Sequence, residues 1–177
     1  MSSWQTLRRM LLSRLFDMIG KIWRAPVSEK LMIVEAVWEL LRARWRVKYG
    51  KFSRWRSHLG AVQALPQQSG GGEVDIAPDT LARAKRLGRI VRAVARRMPF
   101  RANCLPQAAA AQLMLQRRGI QTGRLYIGAK KVGDETPLKM HAWLFVGPVC
   151  VTGDRRSRDL AGFKPLMMLS FDEATAA

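Results

Sequence analysis

Three residues in the C-terminal half of the chain have types that together perform nucleophilic chemistry: Cys104, His141 and Asp154. A thiol attacks well when something holds it as thiolate, a histidine within reach carries the proton, and a carboxylate fixes the ring's tautomer and stabilises the imidazolium. Cys104 stands where the polar turn Phe100–Asn103 meets a run of strong helix formers, Ala108–Leu115. Asn103 is a suitable N-cap, Pro106 is tolerated in the first turn, Arg117 and Arg118 complement the C-terminal dipole, and Gly119 supplies a left-handed stop. A thiol on the first residue of that helix sees the positive end of the macrodipole, and Arg101 adds to the effect. Position alone does not make a nucleophile, because a free cysteine is more often buried filler.

The elements that must bring the other two residues to it follow in sequence. After Gly119 the apolar period changes from helical to two: Arg124–Ala129 reads as a strand, Lys130–Pro137 as a polar loop, Lys139–Val146 and Val149–Thr152 as a hairpin turning at Gly147-Pro148. Met140, Ala142, Leu144 and Val146 then share one face, and His141, Trp143 and Phe145 the other. That turn pairs Val146 with Val149, Phe145 with Cys150, Trp143 with Thr152 and His141 with Asp154. As a non-hydrogen-bonded pair, the last two would hold their Cβ atoms about 4.5–5.5 Å apart. A slip of one residue undoes the pairing, and Gly153 is a place for a bulge; Asp159 is the alternative acid. Cys150 reads as core, with a Cys104–Cys150 disulfide the less favoured reading. A helix followed by antiparallel strands makes the fold class α+β.

Upstream, Trp4–Trp23 carries Leu7, Leu11, Leu15, Met18 and Ile22 at helical steps and stops before Pro26. Ser28 can cap a second helix, with Leu31, Val34, Val37, Trp38, Leu41 and Trp45 on one broad face, and Phe52–Leu59 is a short third segment. Both stripes are read as core, packed on each other and on the rest of the fold; a basic, tryptophan-rich pair lying on an anionic membrane is the alternative. His58 is read as a surface histidine. Gln63–Pro78 contains Gln67-Gln68-Ser69-Gly70-Gly71-Gly72, a linker composition. The organisation expected is therefore a basic helical region over 1–62, a linker over 63–78 and the chemical domain over 79–177. Pro78 or Asp79 opens a helix ending before Pro99, with Leu81, Leu87, Ile90, Val91, Val94 and Met98 inward. Its arginine band, including Arg83, Arg86, Arg89, Arg92 and Arg96, is a solvated face or a docking surface for an acidic chain.

Composition narrows the classes. The 177 residues are 48% hydrophobic, enough for a core, and carry a formal net charge of +18, which calls for an anionic partner. Two cysteines and two histidines are too few for a structural metal site, and no cofactor motif is present. Charged residues interrupt the N-terminal apolar stretch before a secretory pattern forms, so a cytoplasmic protein with reduced thiols is expected. No apolar run reaches the length of a membrane span. The arginines lack the aromatic interleaving and motifs of a nucleic-acid binder.

Arg101 with Asn103-Cys104-Leu105, the run Leu113–Gly119, the strand ending at Ile127-Gly128, and His141-Ala142-Trp143 together resemble the transglutaminase-like leader peptidases of lasso-peptide biosynthesis. The resemblance covers roughly residues 80–155, and the combination is more specific than any one motif. It implies a papain/transglutaminase-like cysteine peptidase fold with Cys104 as nucleophile, His141 as base and Asp154 as orienting acid, and with Arg101, Asn103 and Trp143 supporting the substrate or the oxyanion. Many such proteins carry a fused winged-helix domain that captures the leader; residues 1–60 show helical period throughout, so a stand-alone form is expected. Its partners would be the leader region of a precursor peptide, a separate leader-recognition protein and a lasso cyclase, with no metal, cofactor or nucleic acid. Peripheral membrane contact through residues 1–60 stays open. Pro106-Gln107 departs from the more basic pattern that follows Cys-Leu in the family. Two other functions fit the same residues: acyl transfer to an amine, and a non-catalytic basic adaptor for an acidic partner.

Overall fold

Alternating and apolar runs in the C-terminal half build a five-stranded antiparallel sheet, and the long helix-forming runs before them cover one of its faces. The structure is a computed structural model and describes residues 26–65, 76–131, 138–153, 160 and 162–171. The expected helix Trp4–Trp23, the glycine-rich centre of the linker, most of the loop before Lys139, and both Asp154 and Asp159 lie outside the described residues. In chain order the elements are α1 (Val27–Tyr49), α2 (Phe52–Trp55) running into a 3-10 turn (Arg56–Leu59), β1 (Ala61–Gln63), α3 (Pro78–Ala95), α4 (Cys104–Gln116), β2 (Gly123–Lys130), β3 (Lys139–Val146), β4 (Val149–Thr152) and β5 (Lys164–Ser170). Helices packed on an antiparallel sheet make the class α+β, as expected.

Strand order is β1-β5-β2-β3-β4, so the last strand in sequence inserts between the first and second. Neither β1 nor β5 is visible as a period-two pattern. β1 is only three residues long, and β5, Lys-Pro-Leu-Met-Met-Leu-Ser, lacks β-branched residues and contains a proline. Pro165 is tolerated because β1 pairs only with Met168–Ser170, leaving the other edge of β5 without a strand at Pro165.

The sheet separates two apolar clusters. Ala142, Leu144, Val146, Leu125 and Leu169 face the helices, whose Leu40, Leu87, Val91, Met114 and Leu115 complete the main core. On the other face Tyr126, Trp143 and Met168 form a smaller cluster with Phe145, Leu160 and Phe163. The alternation expected for β3 holds except at Met140, which is exposed.

α1 corrects the sequence reading. The residues it buries are Ala36, Glu39, Leu40 and Ala43, whereas Leu31, Val34, Trp38, Leu41 and Trp45 are all exposed, Trp45 to 67%. Of the stripe expected to be core, Val37 does pack against the core, beside Met32 and Ile33, but the rest faces outward; the inner face, where α1 meets α3 and α4, buries Ala36, Leu40 and Ala43. Arg117 and Arg118, read as dipole complements, also form ion pairs across to α1: Arg117 with Glu35 (2.9 Å) and Glu39 (2.6 Å), and Arg118 with Glu35 (2.6 Å). Of the expected linker, Gln63 closes β1 and Pro78 opens α3.

The hairpin turns at Gly147 and Pro148 as expected, pairing Val146 with Val149 and Phe145 with Cys150. Beyond that the register shifts: Thr152 pairs with Leu144, where the sequence reading paired it with Trp143. Val151 is the additional residue in β4, and its carbonyl accepts a hydrogen bond from Arg92 of α3. Gly88, one turn earlier, lets α3 approach that same carbonyl; a Cβ there would stand 2.3 Å from it. The bulge is thus where α3 takes hold of β4.

Candidate active site

α4 begins at Cys104, and Gly119 with φ +71° ends the turn that follows it. Asn103 occupies the N-cap position with extended backbone, but its side chain makes no capping hydrogen bond. Of the first-turn N–H groups of α4, that of Leu105 bonds the thiol and that of Gln107 the Asn103 carbonyl, Pro106 has none, and that of Cys104 is left to face the space beside the thiol.

His141 lies near the start of β3, beyond the last β3–β4 pair at Leu144 and Thr152. There its ring reaches the Cys104 thiol, with which it shares a hydrogen bond. Nε2 of His141 is 2.7 Å from the carbonyl oxygen of Gly153. A carbonyl only accepts, so Nε2 carries the hydrogen and Nδ1 is left for the thiol. Aromatic neighbours hold the ring plane: His141 stacks on Trp143 at 5.9 Å and meets Phe163 at 5.1 Å, and Trp143 in turn stacks on Tyr126. Gly128 leaves room for that indole, since a Cβ there would collide with its ring, and Gly153 leaves room for the backbone and Cβ of Trp143.

Electrostatics favour the thiolate. Burial alone pushes the Cys104 thiol up, but the hydrogen bond with His141, the Ala142 backbone N–H, the charge on the imidazole and the Leu105 N–H together bring it below the ordinary thiol value. The pair opens into a cavity of about 690 Å³, lined among others by Asn103, Gln107, Lys139 and Arg92. A substrate can therefore reach the thiol from solvent. Gln107 is partly committed there, donating to the Ala102 carbonyl at 2.6 Å.

The other expected residues are dispersed around this centre. Asn103 lines the cavity; Arg101 lines an adjoining one of about 380 Å³. Trp143 is 6% exposed and backs His141 from the second apolar cluster, so it orients the ring from behind. Asp154, the expected acid, follows Gly153 directly in sequence and lies outside the described residues, as does Asp159. The pairing expected for it rested on a register that the Val151 bulge has already shifted. Cys150 is not joined to Cys104; its Sγ lies 3.3 Å from the Thr152 carbonyl. His58 is exposed on the 3-10 turn. Sequence reasoning missed Phe163, which no spacing tied to His141, and the Gly153 carbonyl, since a backbone acceptor leaves no mark on residue type. Arg92 was seen only as one of a basic band. Among the described residues no cluster of His, Cys, Asp or Glu is placed to hold a metal.

A family model described as the transglutaminase-like superfamily matches residues 38–168. The match spans most of the chain and includes Cys104, His141 and all of the sheet but the last two residues of β5, and the chain belongs to that superfamily. Members of the superfamily are often cysteine-dependent enzymes. No curated protein and no solved structure matches the chain.

Proposed function

We propose that the chain is a cysteine peptidase that removes the leader from a ribosomally synthesised precursor peptide during lasso-peptide maturation, working with a separate leader-recognition protein and a lasso cyclase. The observation that carries the chemical half of this reading is the Cys104–His141 contact at the N-terminus of α4, with His141 Nε2 bonded to Gly153. Its biological half is supported by the Asn103-Cys104-Leu105, Leu113–Gly119 and His141-Ala142-Trp143 resemblance.

In this mechanism the Cys104 thiolate adds to the scissile carbonyl, and the tetrahedral oxyanion is met by the Cys104 backbone N–H at the helix N-terminus. The imidazolium of His141 gives its proton to the leaving amine as the C–N bond breaks. Water then attacks the thioester while His141 takes its proton, and the carboxylate product and free thiol are restored. Asp154 is the carboxylate proposed to share in orienting the ring, with Asp159 as its alternative. Cys104→Ala should abolish cleavage of the precursor, followed by mass spectrometry in the presence of the recognition protein, with an unchanged circular dichroism spectrum. Full cleavage by that variant overturns the proposal.

Membership of the transglutaminase-like superfamily favours a second reading, transfer of the acyl group to an amine instead of water. Product mass separates the two, because hydrolysis adds water and transfer adds the amine.

A further inference from the structure

The thiol's cavity does not end at the thiol. Ala102, Asn103 and Gln107 line both it and the adjoining cavity of about 380 Å³, so the two are halves of one groove running past the N-terminus of α4. Basic side chains stand along its length. Arg92 and Lys139 flank the Cys104 half, and Arg96 and Arg101 flank the other. No described residue lining either half is acidic, and among the described residues Arg96, Arg101 and Lys139 have no ion pair.

Elsewhere Arg83 pairs with Asp79, Arg86 with Glu29, and Arg117 and Arg118 with Glu35, while Arg44, Arg46 and Arg54, like the arginines of the groove, have no ion pair among the described residues. What distinguishes the groove is that its cations line a cavity beside the thiol, with no acidic residue among the described ones in its walls. Arg92 registers this directly. Its guanidinium is disfavoured by burial, aided by Cys150, and disfavoured again by the like charges of Arg96 and Arg89. An anion seated in the groove relieves that repulsion.

We propose that the half of the groove between Arg96 and Arg101 is a subsite for an acidic side chain of the peptide substrate, seated a short way along the chain from the bond presented to Cys104. The proposal rests on the peptidase reading for what the occupant is, a peptide; the groove's charge selects its chemistry, a carboxylate. Guanidinium groups suit this because their planar fork takes a carboxylate through two parallel hydrogen bonds.

The test measures binding and not turnover. A rhodamine-labelled hexapeptide containing two glutamates, and the same peptide with glutamines in their place, are titrated with the full-length Cys104→Ala protein by fluorescence polarisation. At low salt the acidic peptide should bind about tenfold more tightly, the ratio that a single charge-assisted hydrogen bond supplies. Replacing Arg96 and Arg101, both exposed, with glutamine should remove that preference, and Arg96→Lys should retain part of it. As a control for attraction to a chain of net charge +18, Lys85→Gln with Arg44→Gln, which lie outside both cavities, should leave it intact. Equal affinity for the two peptides overturns the proposal, as does an acid preference that survives loss of Arg96 and Arg101, or one that falls as far in the control pair. If the acidic peptide binds as expected but the intact protein cleaves no precursor, the peptidase reading falls and the subsite stands. If a precursor is cleaved with no acid preference in binding, the subsite falls and the peptidase reading stands.

Discussion

At the scale of single residues, the chemistry turns on two opposed effects at Cys104. Burial raises the thiol, while His141, the Ala142 and Leu105 N–H groups and the imidazole's charge lower it, and the second set wins. The reactive form therefore persists to lower pH than in an ordinary thiol near 9.0, the unperturbed value. Alkylation of Cys104 by iodoacetamide, followed against pH, should persist to lower pH than alkylation of an unperturbed thiol. His141→Ala removes two of the lowering contributions. It should shift the profile upward, slow alkylation at neutral pH, and cost turnover about 10²–10⁴-fold, the range for a positioned proton carrier. A profile identical to that of an unperturbed thiol contradicts the activated thiol and leaves the basic-adaptor reading. Cys104 and His141 were legible in the sequence because a helix start and a strand alternation are local patterns. The Gly153 carbonyl was not, because its place depends on a bulge that α3 imposes from far away in the chain.

At the scale of elements, β4 is held where two neighbouring turns of α3 meet it. Gly88 permits the approach and Arg92 donates to the Val151 carbonyl, two residues before the Gly153 carbonyl that holds His141. Gly88→Ala gains helix propensity of about 1 kcal/mol, but its methyl would fall 2.3 Å from a backbone oxygen that cannot rotate away. Overpacking should win, with a net loss of about 1–3 kcal/mol in urea denaturation and slower alkylation of Cys104 as Gly153 moves from the histidine. α1 offers the contrasting case. Trp38 is 58% exposed and Leu40 fully buried, although apolar spacing alone marks the tryptophan stripe as the core face. Trp38→Glu should change stability by less than about 0.5 kcal/mol, while Leu40→Ala should cost about 2–5 kcal/mol. The sequence misleads here for a physical reason: an apolar stripe shows that a face can be buried, and only packing distance tells which. Where α1 meets α3 and α4, Ala36, Leu40 and Ala43 are buried with Met32, Ile33 and Val37 packed beside them, and Trp38, Leu41 and Trp45 are left outside.

At the scale of the whole molecule, the helical layer is tied together by ions that the sequence spreads far apart. Glu35 and Glu39 of α1 receive Arg117 and Arg118 from the turn after α4, so the helix bearing the thiol is anchored at its far end to α1. Glu39 is 1% exposed, and its Oε2 has no hydrogen-bond partner among the described residues. Arg117→Ala would leave that buried carboxylate with only Arg42 at 3.6 Å and should cost about 3–5 kcal/mol, whereas Arg117→Lys keeps the charge and should cost less. Glu35 makes the anchor sensitive to acid. Burial raises its carboxyl, but the hydrogen bonds and charges of Arg118 and Arg117 outweigh it and hold the group below its unfolded value of 4.5. A carboxyl depressed on folding binds fewer protons in the native state, so its stabilisation is complete above pH 4.5 and drains away as pH falls through the lower folded value. Urea midpoints measured from neutrality down should therefore fall below about pH 4.5, and Glu35→Gln should be less stable at neutral pH with a shallower decline in acid. The same slope in both proteins would mean that the acid-sensitive anchor lies elsewhere.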